Sequence, residues 1–145
     1  NEIECGDHYA RALASYGVFL AACGYEYHSP KGHLGFAPQL SPEDFCAAFT
    51  TAEGWGTFIQ KRDRRMQRET IALNWGKLRL RTLTFSLPDN FKLGKVSVKA
   101  AGKPIEVRYL VDGSRVTITL AAELMIKAGQ TLDIIITSPG TERHS

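Results

Sequence analysis

Glu4, Asp7, His8 and Arg11 crowd the mouth of a stretch that is otherwise apolar. Carboxylates accept hydrogen bonds, and a guanidinium donates them from a fixed fork. Such a set suits a hydroxyl-rich, neutral ligand such as a sugar. A local reading competes with it: Asp7 and Arg11 stand at i, i+4, where an ion pair forms on one helix face.

The element that must carry these residues is a helix. Gly6-Asp7 offers an N-cap, and Tyr9 to Cys23 holds no proline and five alanines. Leu13, Tyr16, Gly17 and Leu20 make one apolar stripe, with Val18, Phe19 and Ala21 on a second side. Only Arg11 is charged between His8 and Cys23, so the helix reads as buried on most sides, and Gly24 ends it. One buried helix cannot make its own core. The expectation is therefore that residues 1–24 are the last helix of a helical body lying upstream, and that a chain opening on Asn is a fragment or a processed product.

From residue 25 onward the pattern is β. Tyr25-Glu26-Tyr27-His28 and His33-Leu34-Gly35-Phe36 flank Ser29-Pro30-Lys31-Gly32, a hairpin turn. Ser41-Pro42-Glu43-Asp44 reads as the start of a short second helix, which closes a connector over 25–44. Ala47–Thr51 and Gly56–Lys61 are extended, and Gly54-Trp55-Gly56 between them suggests a bulge or close backbone packing. A strand then carries Ile71, Leu73 and Trp75 on one face. In Lys77–Leu87 the apolar residues change from even (78, 80) to odd (83, 85, 87). A strand cannot change face without an extra residue, which puts a bulge or sheet switch near Arg81-Thr82. Four more alternating strands follow, bearing Val96 and Val98; Ile105, Val107, Tyr109 and Val111; Val116, Ile118 and Leu120; and Leu132, Ile134 and Ile136. Asp112-Gly113 is a strong hairpin signal. Strands without intervening helices predict an antiparallel, jelly-roll-like β-sandwich over 45–138, with 139–145 as a flexible tail.

Composition narrows the function classes. A hydrophobic fraction of 43% and a charged fraction of 23% suit a globular domain with one core. No apolar run reaches the ~20 residues that span a bilayer. A net charge of +3 does not call for nucleic acid. The basic run Lys61–Arg68 includes Asp63 and no interleaved aromatics, so it reads as a solvated strand pair rather than a nucleic-acid face. The four histidines lack metal-site spacing, and no metal or cofactor is expected. Cys5, Cys23 and Cys46 form an odd, unpatterned set that reads as free thiols, favouring a reducing, cytoplasmic setting. Exposed tryptophans could make a sugar-stacking face, but the alternation expects Trp55 and Trp75 inside the sandwich.

Glu4-Cys5-Gly6-Asp7-His8-Tyr9-Ala10-Arg11-Ala12-Leu13-Ala14-Ser15-Tyr16 resembles the last barrel helix of glycoside hydrolase family 116, the non-lysosomal glucosylceramidases and bacterial β-glucosidases. Residues 24–38 resemble the chain leaving that barrel, and Ala52-Glu53-Gly54-Trp55-Gly56 resembles the tail region of bacterial members. The resemblance implies an upstream (α/α)6 barrel holding the catalytic Glu and Asp of a retaining enzyme, so no catalytic residue in this chain. It implies sugar contacts from Arg11, in the family's Tyr-x-Arg pattern, and from Glu4. A second family Arg has no counterpart, since Cys5 sits near its place, and His8 stands where it can share the role. The chain then reads as the C-terminal portion of a glycosidase-like protein acting on β-glucosides, inactive alone. The alternative is a stand-alone carbohydrate-binding or structural module.

Overall fold

A computed structural model of the chain describes residues 24–38 and 42–139. Ten strands run through them: β1 Glu26–His28, β2 His33–Phe36, β3 Asp44–Thr50, β4 Gly54–Arg62, β5 Met66–Ser86, β6 Lys95–Ala100, β7 Lys103–Ile105, β8 Val107–Asp112, β9 Arg115–Lys127 and β10 Thr131–Thr137. The domain is mainly β, as expected. The proposed terminal helix lies outside the described residues.

β5 organises the domain. Its first half pairs with β4 and β10; its second half pairs with β2 and β9. One sheet therefore runs β3-β4-β5-β10-β6-β7 and the other β1-β2-β5-β9-β8. The hand-over falls between Gly76, the last partner of β4, and Lys77, the first partner of β9, and the apolar pattern changes parity a few residues later, inside the second sheet. Pairing with β9 jumps from Leu80↔Leu124 to Thr82↔Thr119. Leu78 and Leu80 before the jump are buried, and so are Leu83, Phe85 and Leu87 after it. The bulge expected near Arg81-Thr82 is there.

The inner faces of both sheets merge into one core containing Phe49, Phe58, Ile71, Leu83, Ile118 and Ile134. Phe36 and Phe58 stack at a centroid distance of 3.8 Å. Of the residues expected inside, Leu73, Leu83, Phe85, Ile118 and Ile134 are buried, while Val107 is half-buried against the core.

Several expectations give way. The sandwich is not wholly antiparallel: β2 runs parallel to β5. The β1–β2 hairpin does form, with Gly32 left-handed at φ 62°. The short second helix does not. Pro42 and Glu43 form a turn, and Asp44 already begins β3, because Phe45, Ala47 and Phe49 alternate into the core. The strand expected over 105–111 is two strands, and Tyr109 and Val111 are exposed. Among the described residues β8 is an edge strand that pairs only with β9, so its apolar side chains run past the core. Cys46 is disulfide-bonded, which overturns the reading of three free thiols. An odd count excludes pairing of all three cysteines, not of two.

Candidate functional site

The first candidate site is a tryptophan pair. Trp55 on β4 and Trp75 on β5 are direct cross-strand partners, 45% and 64% exposed. Thr50 on β3 extends the row as the other neighbour of Trp55. The expectation that both rings lie in the core fails because of one residue. Trp55 pairs with Trp75 but Gly56 pairs with Leu73, leaving Asn74 as an extra residue in β5. The extra residue reverses parity, so Leu73 points in and Trp75 points out. Glycines hold the strands close behind the rings. A Cβ on Gly76, whose φ is +84°, would stand 2.0 Å from the Glu53 carbonyl oxygen. Beside the rings, Thr57 Oγ1 donates to Asn74 Oδ1 at 3.0 Å. The Asn74 side-chain NH2 has no partner among the described residues, so an open donor lies on the residue preceding Trp75. Flat aromatic faces flanked by a few hydrogen-bonding groups suit a sugar ring, which has apolar C–H faces and a polar rim.

The outer face of the other sheet carries a polar chain. Arg115 grips Glu26 with two bonds of 3.0 Å. Glu26 Oε1 lies 3.0 Å from His33 Nε2, and His33 Nδ1 lies 2.7 Å from Thr82 Oγ1. In outline this is a hydroxyl, an imidazole and a carboxylate in series. The Arg115 hydrogen bond, opposed by burial, holds Glu26 below the usual carboxylate range. A carboxylate so held is a weak base toward the imidazole. The arrangement reads as a pin joining the β1–β2 hairpin to β5 and β9. Gly35 keeps the space open: a Cβ there would stand 3.1 Å from Thr84 and 3.4 Å from Glu26 Oε1.

A third feature lies in the core. Gln60, Gln67 and Glu69 point inward and are fully buried. Gln67 Nε2 donates to Glu69 Oε2 and to the Ser86 carbonyl. Arg62 reaches in, donating from Nε to Gln67 Oε1 at 2.8 Å and from Nη2 to Ser86 O at 3.0 Å. Glu69 Oε1 has no hydrogen-bond partner among the described residues. Burial pushes the Glu69 carboxyl up to about 8, against the opposing pull of the Gln67 bond and the Arg62 charge. Arg62 also lines an open cleft of about 470 Å³ with Glu43, Asp63, Arg64, Asn90 and Phe91.

The sugar-contact residues expected from sequence, Glu4, His8 and Arg11, lie outside the described residues. Three of the five cations in the basic run, Lys61, Arg62 and Arg68, have partners within the domain. Lys61 pairs with Asp44, Arg68 with Asp133, and Arg62 turns inward, while Asp63 accepts from the backbone N–H groups of Arg65 and Met66 to close the turn. Among the described residues there is no group of three or more metal-ligating side chains, and no helix is long and apolar enough to cross a membrane.

Sequence reasoning missed two features. Glu69 was legible: counting back by twos from the inward Leu73 and Ile71 places Glu69 and Gln67 inside. The tryptophan pair required knowing which strand takes the extra residue.

No protein-family model matches the chain, and no curated protein matches it. Among solved structures, it is similar to an α-L-rhamnosidase from Dictyoglumus thermophilum, at 12% identity and a TM-score of 0.44. That similarity covers 81% of this chain and 12% of the other, so the chain spans about an eighth of that enzyme's length.

Proposed function

We propose that this chain is a non-catalytic β-sandwich module of a glycosidase-like protein, and that it holds carbohydrate on the Trp55–Trp75 platform. The observation that carries the reading is the exposed cross-strand tryptophan pair with the free Asn74 donor beside it. The motif resemblance of residues 4–16 and 24–38 supports the finer form. In that form the parent protein is a β-glucosidase of the glucosylceramidase type, with its catalytic carboxylates on an upstream barrel. Glu4, His8 and Arg11 then contribute to the sugar subsite rather than to bond cleavage.

The test is direct because the chain holds only these 2 tryptophans, so all indole fluorescence reports on the platform. Titration with soluble β-glucan oligosaccharides is expected to shift and saturate the emission. Each ring contributes roughly 1 kcal/mol of stacking, so Trp75→Ala weakens binding by about five- to tenfold. Unchanged emission at millimolar sugar sinks the platform. The finer form has its own arm. In the intact parent, Arg11→Lys keeps the charge but loses the fork, and kcat/KM is expected to fall about tenfold. An unchanged kcat/KM removes Arg11 from the subsite and leaves the platform standing.

A further inference from the structure

Edge strand β8 exposes three consecutive large apolar residues: Tyr109 at 44%, Leu110 at 71% and Val111 at 41%. Among the described residues it pairs with β9 alone, so its far side presents a row of backbone donors and acceptors that none of them takes up. Folded domains blunt such edges with lysine, proline or a bulge. Val107–Asp112 has no lysine, proline or bulge, and its charges are one of each sign, Arg108 and Asp112; its register with β9 is unbroken from Val107↔Leu120 to Asp112↔Arg115.

The register says which groups are open. Only Gly113 and Ser114 separate the partners Asp112 and Arg115, so this is the closing pair of a two-residue hairpin and exchanges both backbone bonds. By alternation Arg108, Leu110 and Asp112 send their N–H and C=O groups toward β9. Val107, Tyr109 and Val111 send theirs outward.

We infer that β8 is a homodimer seam, on which the β8 of a second copy adds antiparallel about a twofold axis through Leu110. The sequence of the strand selects this occupant and this register. Antiparallel pairing centred on Leu110 sets Leu110 against itself, Tyr109 against Val111, and Arg108 against Asp112, each twice by symmetry. The backbone agrees: Tyr109 and Val111, whose polar groups are open, become the bonded pairs, and Leu110 falls at a non-bonded pair. At such pairs opposed side chains approach most closely, which favours the Leu110–Leu110 contact and the two Arg108–Asp112 pairs. Arg108 and Asp112 are exposed and make no ion pair within contact distance among the described residues, although the Asp112 charge is felt by its cross-strand partner Arg115. A centre shifted by one residue loses both charge pairs, and one shifted by half a residue sets outward backbone groups against inward ones. The seam makes a continuous sheet across two copies and leaves both tryptophan platforms free, since those lie on the other sheet.

Sedimentation equilibrium of the chain from about 10 µM to about 1 mM is expected to show a monomer–dimer equilibrium. Arg108→Asp places a carboxylate opposite Asp112 of the second copy, and Asp112→Arg places two guanidinium groups opposite each other. Each variant alone is expected to dimerise at least about tenfold more weakly. An equimolar mixture of the two restores both charge pairs, and with them dimerisation close to the original affinity. That recovery also shows that both variants are folded. The inference is overturned by a chain that stays monomeric at about 1 mM, by a dimer indifferent to both substitutions, or by a mixture that does not recover.

Discussion

Glu69→Gln is expected to make the protein more stable at pH 8 and to flatten its stability between pH 5 and 8. Glu69 is fully buried, one of its oxygens has no hydrogen-bond partner among the described residues, and burial pushes its carboxyl up to about 8. In the unfolded chain the same group titrates near its reference value of 4.5. Below that value both states hold the proton, and the group adds no pH dependence. Between about 4.5 and about 8 the unfolded chain releases the proton and the folded chain keeps it. The native state then binds more protons than the unfolded state, so stability falls with rising pH, at up to about 1.4 kcal/mol per unit. Above about 8 both states are ionised and the slope vanishes. The accumulated loss at pH 8 is several kcal/mol, a large fraction of a domain's total stability.

Glutamine removes the titration and keeps the shape. Its carbonyl oxygen still accepts the Gln67 Nε2 bond, and its amide takes the place of the oxygen that has no hydrogen-bond partner among the described residues. Urea midpoints of the two proteins should therefore agree near pH 5 and diverge steadily toward pH 8, with the variant higher. Arg62→Met provides the opposite change. It removes the cation whose charge favours ionised Glu69, so the wild-type slope should persist to a higher pH. A wild-type midpoint with the same pH profile as Glu69→Gln would refute the buried neutral acid.

Much of the framework was legible in alternation. The parity change from Leu80 to Leu83 located the register shift of β5 against β9, because a strand with one buried face cannot slip by one residue unnoticed, while the passage of β5 between sheets falls earlier, at Gly76-Lys77. The Asp112-Gly113 hairpin was legible from its turn residues, and Gly54-Trp55-Gly56 marked an irregularity without showing that its extra residue lies on the facing strand. What alternation could not carry was position within the sheet. Val107, Tyr109 and Val111 have the same pattern as Val116, Ile118 and Leu120. Only the latter lie on a strand flanked by β5 and β8; the former lie on the edge. The Asn74 bulge hid the tryptophan pair, because the regular 71-73-75 spacing conceals which residue is extra. The parallel β2–β5 pairing depends on a distant partner that no local pattern names. Glu4, His8 and Arg11 were singled out by motif and lie outside the described residues.

Edge and centre differ in one further measurable way. Ile118 on β9 pairs directly with Leu83 on one side and with Tyr109 on the other. Ile118 and Leu83 are 0% exposed, whereas Tyr109 is 44% exposed. Ile118→Asp puts a carboxylate among the apolar side chains of both sheets. The group must either ionise without solvent or take up a proton, and either way the folded state loses several kcal/mol. Ile118→Val, which removes one methylene and no polarity, should cost about 1 kcal/mol. Tyr109→Asp, one strand away in the same register, leaves its carboxylate in water and should change stability by about 0.5 kcal/mol or less in the monomer. Denaturant unfolding at a concentration where the chain is monomeric separates the three. A core that ends between β9 and β8 requires the order Ile118→Asp far below Ile118→Val, with Tyr109→Asp near the original protein. If Ile118→Asp unfolds no more easily than Tyr109→Asp, Ile118 does not sit between the sheets, and the placement of β9 in the second sheet fails with it.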